Sequence, residues 1–474
     1  MAHKPISITN LSLEFPHKVC FSGFSTQILP GERIGIIGRN GTGKSSLLKI
    51  LTDNMDSTSG RVSGVDGLRI GYVPQTVLQH ADLSGGERFN KSFSDALASH
   101  PDVLVLDEPT NHLDQNTKYS LMRMLNNYQG TLIIVTHDID LLTKCVDKIW
   151  HIENGRINVF FGNYYDYMSE KGIQLSVQQK ALDSLQKEKK KLRIQRQQEA
   201  QKMAKSGKKK AKDNDKLGFD AKSGNAQAKA GAKITKLREK LEEVQTEIGS
   251  TRLPEEYRPK FVLDSAYTQS NSNLVSVSFG ECGYGTQTIL SEIYFSIDSN
   301  DKIALSGSNA SGKTTFIRAL MQDPKVTCNG DWHLLPAKDI GYLEQHYQNL
   351  DAEQTVEGTI QDRNPSMNSL EIRKHLNSFL FRKNEEVFAK VKTLSGGEKA
   401  RLSLAQIAAR PPKLLILDEI TNNLDIETKQ YIASVLSQYP GAFLVISHER
   451  AFLDQLPLTA EYIIHNGILK QKFR

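Results

Sequence analysis

The strongest constraint on the fold of this chain is an internal repeat. Two segments of the 474 residues read Gly-x-x-x-x-Gly-Lys-Ser/Thr: GRNGTGKS from Gly38 to Ser45 and GSNASGKT from Gly307 to Thr314. Each is followed, in the same order, by a glutamine (Gln75, Gln345) and the pentapeptide LSGGE (83–87, 394–398). An Asp-Glu pair after an apolar run comes next (Asp107-Glu108, Asp418-Glu419), then a histidine closing a further apolar run (His137, His448). Lys44 to Lys313 is an offset of 269 and Gln75 to Gln345 one of 270. Ser84 to Ser395, Glu108 to Glu419 and His137 to His448 are all offset by 311. The copies are in register except between the glutamine and the pentapeptide, where the first lacks 41 residues, the difference between the two offsets. A repeat this long means two copies of one domain, because a single hydrophobic core stops growing beyond about 250–300 residues.

The Gly-x-x-x-x-Gly-Lys-Ser/Thr segments follow strand-like runs and open helical ones, the context a phosphate-binding loop requires. Gly38, Gly41 and Gly43 let backbone N–H groups close around a phosphate, with Asn40 and Ser46 beside them. Lys44 neutralises its charge and Ser45 can hold Mg²⁺. In the second copy the same roles fall to Gly307, Asn309, Gly312, Lys313, Thr314 and Thr315. Ala310 stands there in place of Gly41, and Ile420 in place of Pro109. An added methyl at Ala310 is expected to strain a loop that favours glycine; ATP binding is still expected there, with altered turnover.

The order phosphate loop, glutamine, LSGGE, Asp-Glu, histidine resembles the ATP-binding cassette (ABC) superfamily. The expected fold class is α/β: two tandem ABC-type phosphate-loop ATPase domains. ATP and Mg²⁺ are the implied ligands. Asp107 and Asp418, with Gln75 and Gln345, are placed to hold the metal. Glu108 and Glu419 can orient the attacking water, and His137 and His448 can reach the γ-phosphate. Phe15 and Tyr284 stand where the family stacks an aromatic on adenine; an alternating Phe in a strand is equally a core residue. The resemblance also implies that ATP lies between the loop of one copy and the signature of the other. Ser395 and Gly397 would then complete the first site, Ser84 and Gly86 the second. The interval shortened in copy one is a helical subdomain in such cassettes; copy two keeps it, including a helix-like run at 369–381.

Between the copies the composition changes. Residues 180–240 hold 20 Lys+Arg against 7 Asp+Glu, while the whole chain is only +6. Leu175, Leu182, Leu185 and Leu192, and then Ile234, Leu237, Leu241, Val244 and Ile248, follow heptad spacing. Two amphipathic helices joined by a polar tip predict an antiparallel α-hairpin. The tip, 205–230, contains three glycines, with Gly231 just beyond it, and is expected to be irregular. The domains are therefore 1–168, 169–259 (the hairpin linker) and 260–474. The lysines fit a polyanion partner or simply a solvated helical face. No apolar run approaches the roughly 18–20 residues that span a bilayer. The four cysteines form no metal-spaced pair, and with no sign of export a cytoplasmic location is expected.

The EPTNHLD run (108–114), the paired LSGGE signatures and FFGNYYDYM (160–168) leading into the hairpin are similar to the ABC-F family. That resemblance implies a cytoplasmic twin-cassette ATPase, monomeric, with an intramolecular cassette pair. It implies a ribosomal partner, with the hairpin reaching toward P-site tRNA and the peptidyl-transferase centre. Lys205, Lys208, Lys209, Lys210 and Lys212 are the expected RNA contacts. The shortened first copy and the linker sequence look most like the branch that protects ribosomes from macrolides, lincosamides and streptogramins. A general ABC-F translation factor is the main alternative. An exporter ATPase fits the absence of membrane domains poorly. A chromosome-maintenance ATPase would carry its coiled coil inside a cassette, and a DNA-binding relative would add a basic C-terminal coiled coil.

Overall fold

The computed structural model describes residues 3–16, 18–75, 85–111, 113–209, 219–250, 272–344, 347, 349–422 and 424–472. It divides into two compact units: Met1–Tyr165 with Tyr257–Arg474, and Asp166–Glu256.

In the first unit the apolar runs around the motifs build two sheets of the same plan. In cassette one the strands lie in the order Ile70–Val73, Val103–Asp107, Thr131–Val135, Arg33–Gly38 and Lys148–Glu153. Arg156–Phe161 closes that sheet as an antiparallel edge. Cassette two repeats it with Ile340–Glu344, Leu414–Asp418, Ala442–Ile446, Lys302–Gly307 and Ala460–His465, edged by Ile468–Lys472. Val103–Asp107, Thr131–Val135 and Ala442–Ile446 are buried at every position, as strands covered on both faces must be. The alternating segments Ile6–Phe15 and Asn273–Tyr284 form antiparallel layers with their neighbours. In cassette two a parallel bridge, Ser291 to Ile468, joins that layer to the main sheet and makes nine strands. Both phosphate-loop strands are interior strands, so each loop leaves the carboxyl end of a sheet, where open α/β sheets present ligand sites.

The cassettes differ in the interval where copy one is short. Cassette two places helices Val356–Arg363, Ser369–Ser378 and Asn384–Val387 there. Val356, Ile360, Ile372, Leu376, Phe379 and Phe381 pack in the same buried cluster as Leu402 and Leu404 of the helix Gly396–Ala409. The helix expected over 369–381 stops at Ser378. Leu380 takes a left-handed φ of 70°, and the Phe381 N–H folds back onto the Leu376 carbonyl at 3.0 Å. In cassette one nine residues, 76–84, separate Gln75 from the helix Gly85–Ala98; those nine lie outside the described residues.

The second unit is a pair of long helices, Tyr164–Lys209 (which starts in the last residues of the first unit) and Phe219–Ser250. Leu192, Leu241 and Val244 are buried together, with Leu185 and Leu237 packed against them. Leu175 and Ile248 lie in the helices, and nothing is described of their side chains. The expectation of an irregular 205–230 is corrected: helix runs through Lys209 and resumes at Phe219. Lysine, alanine, glutamine and methionine are good helix formers, and an exposed helical glycine costs only about 1 kcal/mol relative to alanine. Gly207, Gly224 and Gly231 are thus carried within helices. Lys205, Lys208 and Lys209 lie on the first helix, whereas Lys210 and Lys212 fall outside the described residues. Among the described residues no helix is long and apolar enough to cross a membrane.

The seam of the hairpin is small, so it is sensitive to one residue. Leu241→Ala is expected to weaken it by about 2–3 kcal/mol. Amide hydrogen exchange should then accelerate across 180–209 and 219–250 and stay unchanged in the cassette sheets; exchange in both helices at the wild-type rate would remove Leu241 from the seam.

Candidate active sites

Each phosphate loop is shaped by what its glycines must avoid. Gly38 has φ 151°, and a Cβ there would sit 2.7 Å from the Ile152 carbonyl oxygen. Gly43, φ 95°, caps the helix Lys44–Leu51. Lys44 curls back over the loop, donating to the carbonyls of Gly38 at 2.8 Å and Arg39 at 3.1 Å. Lys313 does the same with Gly307 at 2.8 Å and Ser308 at 2.9 Å. Both ammonium groups are buried, and desolvation lowers their pKa against the pull of Glu108 and Glu419 respectively. Ser46 is half-buried and Thr315 buried beside them. Ala310 takes φ 59°, where Gly41 has 76°. The strain anticipated for this alanine is therefore present in the backbone, at a cost of roughly 1 kcal/mol.

Asp107 and Asp418 end their strands beside the loops. Burial raises both carboxyls, opposed at Asp107 by the Ser45 hydroxyl and at Asp418 by Tyr342. Tyr342 donates to Asp418 Oδ2 at 3.1 Å. Asp107 Oδ1 is buried with no hydrogen-bond partner. A buried carboxylate oxygen left open beside a hydroxyl and an ammonium fits Mg²⁺ and phosphate oxygens. Gln75 is exposed at the end of its strand; Gln345 lies outside the described residues.

Glu108 and Glu419 follow with left-handed φ of 49° and 50°. His137 Nε2 stands 3.3 Å from Glu108 Oε1, and the His137 N–H donates to Glu108 Oε2 at 3.3 Å. Both ring nitrogens of His137 are buried without an aligned hydrogen bond, which leaves the ring an unfilled polar capacity for a ligand atom. Burial, with Lys44 and Lys429, pushes His137 well below its ordinary pKa, so its ring is neutral. Burial raises the Glu108 carboxyl from the ordinary 4.5 to about 7, against Lys44 and Lys429. The second pair is wetter. His448 Nε2 is 3.5 Å from Glu419 Oε1, and Asn422 donates to Glu419 Oε2 at 3.0 Å. The His448 contact, more than burial, sets Glu419 below its ordinary value.

The sites are not confined to one cassette. The Asn40 N–H of loop one donates to Asp425 Oδ2 at 3.2 Å, and Arg39 pairs with Glu427 at 2.6 Å. In the reverse sense a backbone hydrogen bond from Asn309 of loop two holds down the Asp114 carboxyl, after its own helix amide at Thr117. Asp114 and Asp425 are the N-caps of helices Gln115–Asn127 and Ile426–Ser437. Neither aspartate is among the site residues expected from the motifs. The available signal was Leu-Asp-x-x-Thr at the 311 offset, a repeated N-cap pattern. Of the signature residues, Ser395 caps the helix Gly396–Ala409 in a capping box with Glu398. That helix approaches loop one through Arg401, whose surroundings include Asp425 and Arg39. Gly397 is buried in its first turn. Ser84 lies outside the described residues, and Gly86 is in the helix Gly85–Ala98. Phe15 is 46% exposed and so is not a core residue. Tyr284 is also on the surface, its hydroxyl accepting from Arg318 at 3.2 Å.

The two glutamates should respond oppositely to pH. Below about pH 4.5 folded and unfolded chains both hold the Glu108 proton, and above about pH 7 both have lost it. The penalty for ionising a buried carboxyl accrues between those values and is full above them. Glu108→Gln is therefore expected to raise the stability of nucleotide-free protein at pH 8 by on the order of 2–3 kcal/mol, with a smaller gain at pH 5. Glu419, held below its ordinary value, stabilises the fold above the carboxylate range, a contribution lost as pH falls; Glu419→Gln should lower stability at pH 8. Melting curves at pH 5 and 8 check both signs.

Residues 21–77 and 290–422 match the family described as ABC transporter. The chain is 29% identical to the ribosome protection protein VmlR of Bacillus subtilis (strain 168), over 98% of this chain and 88% of that protein. It is 29% identical to the probable ATP-binding protein YheS of Haemophilus influenzae, covering 97% and 79%. It is 28% identical to the ATP-binding protein Uup of Buchnera aphidicola subsp. Schizaphis graminum, covering 98% and 84%. The solved RNase-L Inhibitor matches with a TM-score of 0.62 at 19% identity, over 97% of this chain and 89% of that one. Archaeal ribosome recycling factor aABCE1, solved with the stalk protein aP1, matches at 0.63 and 18% identity, over 97% and 89%. At such identities the likeness is one of fold. The chain thus carries ABC-type ATPase domains in two cassettes, and its homologues along nearly its whole length are ABC-F proteins.

Proposed function

We propose that this ATPase acts on the ribosome in the cytoplasm, as a monomer, gripping in its ATP-bound state and releasing after hydrolysis. The observation that carries this reading is the 29% identity, along 98% of the chain, to a protein named for ribosome protection. A second support is the excess of positive charge in 180–240, 20 Lys+Arg against 7 Asp+Glu, most of it on a pair of helices. Ribosomal RNA is a dense polyanion that lysines meet through phosphates without reading sequence. The first helix, at 46 residues, extends roughly 70 Å, a length suited to reaching toward P-site tRNA and the peptidyl-transferase centre.

Within each site the roles follow from the positions. Ser45, Asp107 and Gln75, and Thr314, Asp418 and Gln345, would hold Mg²⁺, which would supply neutralisation of the phosphate charge. Lys44 and Lys313 leave their loop carbonyls for phosphate oxygens. Phe15 and Tyr284 offer exposed faces for adenine. Glu108 and Glu419 orient the attacking water and accept its proton, and neutral His137 has an open nitrogen for the γ-phosphate. Ser395 and Gly397 close the first site from the opposite cassette, Ser84 and Gly86 the second. The γ-phosphate then joins the two halves, and its loss lets them part. The finer reading is protection against macrolide, lincosamide or streptogramin antibiotics. The short first cassette, which leaves the hairpin as the candidate effector, supports it.

The double variant Glu108→Gln/Glu419→Gln is expected to co-sediment with ribosomes in ATP. Affinity should fall at least about tenfold between 50 and 200 mM salt if several phosphates are contacted. A binding that ignores salt, or no binding, removes the ribosomal reading. Expression in a susceptible strain should raise the inhibitory concentration of at least one of the three drug classes, and the double variant should not. Ribosome binding without any such shift assigns the protein to general translation instead.

A further inference from the structure

Between the cassettes lies a polar chamber of about 180 Å³, lined by Glu108 and His137, by Glu419 and His448, and by Lys118 and Lys429. The two lysines occupy equivalent positions, 311 residues apart, one turn into helices whose N-caps dock on the opposite phosphate loop. Their surroundings are not equivalent. Lys118 is held within its own cassette by Asp138 and Asp140, each at 2.7 Å. At the matching positions cassette two has Glu449 and Ala451. Lys429 therefore has one carboxylate, Glu449, at 2.7 and 2.8 Å, and a remaining N–H that reaches across to the His137 carbonyl at 3.4 Å. The longer glutamate sets the ammonium further out than an aspartate would, and the alanine gives it no counterpart of the second ion pair that Asp140 makes with Lys118. At the second site the contact on the His448 carbonyl comes instead from the neutral Gln115 amide, also at 3.4 Å.

We propose that Lys429 is a positioning residue acting in trans: it fixes the His137 peptide, and with it Glu108, only when cassette two is docked on cassette one. The chain of contacts is short. Asp425 and Lys429 lie four residues apart on one helix, the first on loop one and the second on His137. His137 in turn donates its N–H to Glu108. Docking of this helix thus sets the phosphate loop and the hydrolytic pair of site one together. Lys429 also draws down the Glu108 and His137 pKa values, in keeping with a charge close to both. The inference rests on ATPase chemistry alone and stands or falls apart from any ribosomal role.

The test uses the full chain with Lys429→Met and Lys429→Arg. In nucleotide-free protein, Lys429→Met, made together with Glu449→Gln so that no buried carboxylate loses its partner, should accelerate amide exchange in the segment 131–142 and leave the equivalent 442–453 unchanged. With ATP and Mg²⁺, in a Glu419→Gln background so that turnover reports site one, its kcat should fall about tenfold or more, as misplacement of a hydrolytic group does, while KM changes little. Lys429→Arg keeps the charge and donors, and should restore both readouts toward wild type even if the methionine variant folds poorly. Equal acceleration in both segments shows a merely structural lysine and overturns the proposal. So does wild-type behaviour of Lys429→Met, or a defect in Lys429→Arg as large as that of Lys429→Met.

Discussion

The arrangement depends on a reciprocal contact between each phosphate loop and the N-cap of a helix from the other cassette. Asp425 accepts from Asn40, and Asp114 accepts from Asn309. An N-cap carboxylate already satisfies its own helix: Asp114 accepts from the Thr117 N–H at 2.9 Å and Asp425 from the Thr428 N–H at 2.8 Å. The spare oxygen capacity of the same carboxylate is what meets the opposite loop. One residue type thus ends a loop, starts a helix and joins two domains.

That contact brings ionisable groups out of water, and the chain manages them by pairing. Lys118 is balanced by Asp138 and Asp140, Lys429 by Glu449. An unpaired buried charge would cost several kcal/mol. The pairing also makes the two halves unequal. Glu108 is deeply buried and raised to about 7, whereas Glu419 keeps Asn422 and His448 as partners and lies below its ordinary value. Asp107 is eased by Ser45 and Asp418 by Tyr342. A duplicated sequence has therefore produced two sites of the same design but different electrostatics.

The cassettes also differ in what they build outward. Cassette two adds three short helices packed on its signature helix, a cluster that buries Ile372, Leu376, Phe379 and Phe381. Cassette one has nine residues in that interval. Its counterpart investment is the pair of long helices that leaves it at Tyr164, held by little more than Leu192, Leu241 and Val244 along its described seam. A seam this thin stabilises a hairpin while leaving most of its surface to solvent.

Much of this was legible in the residue order. The phosphate loops, the strand-ending aspartates, the two histidines and the missing 41 residues are local patterns, because glycine at positive φ, buried β-branched runs and heptad leucines leave marks at short range. The strain at Ala310 was equally readable, since it follows from one methyl on one backbone conformation. What the sequence left open involved residues far apart in the chain. Helix propensity overrode the glycines near the hairpin tip, and the fold left Phe15 exposed rather than buried. Above all, nothing in an offset of 311 says that Lys118 will stay in its own cassette while Lys429 crosses to the other. That was decided by one methylene at Glu449 and one absent carboxylate at Ala451, whose effect exists only once two domains close over a shared, water-poor interface.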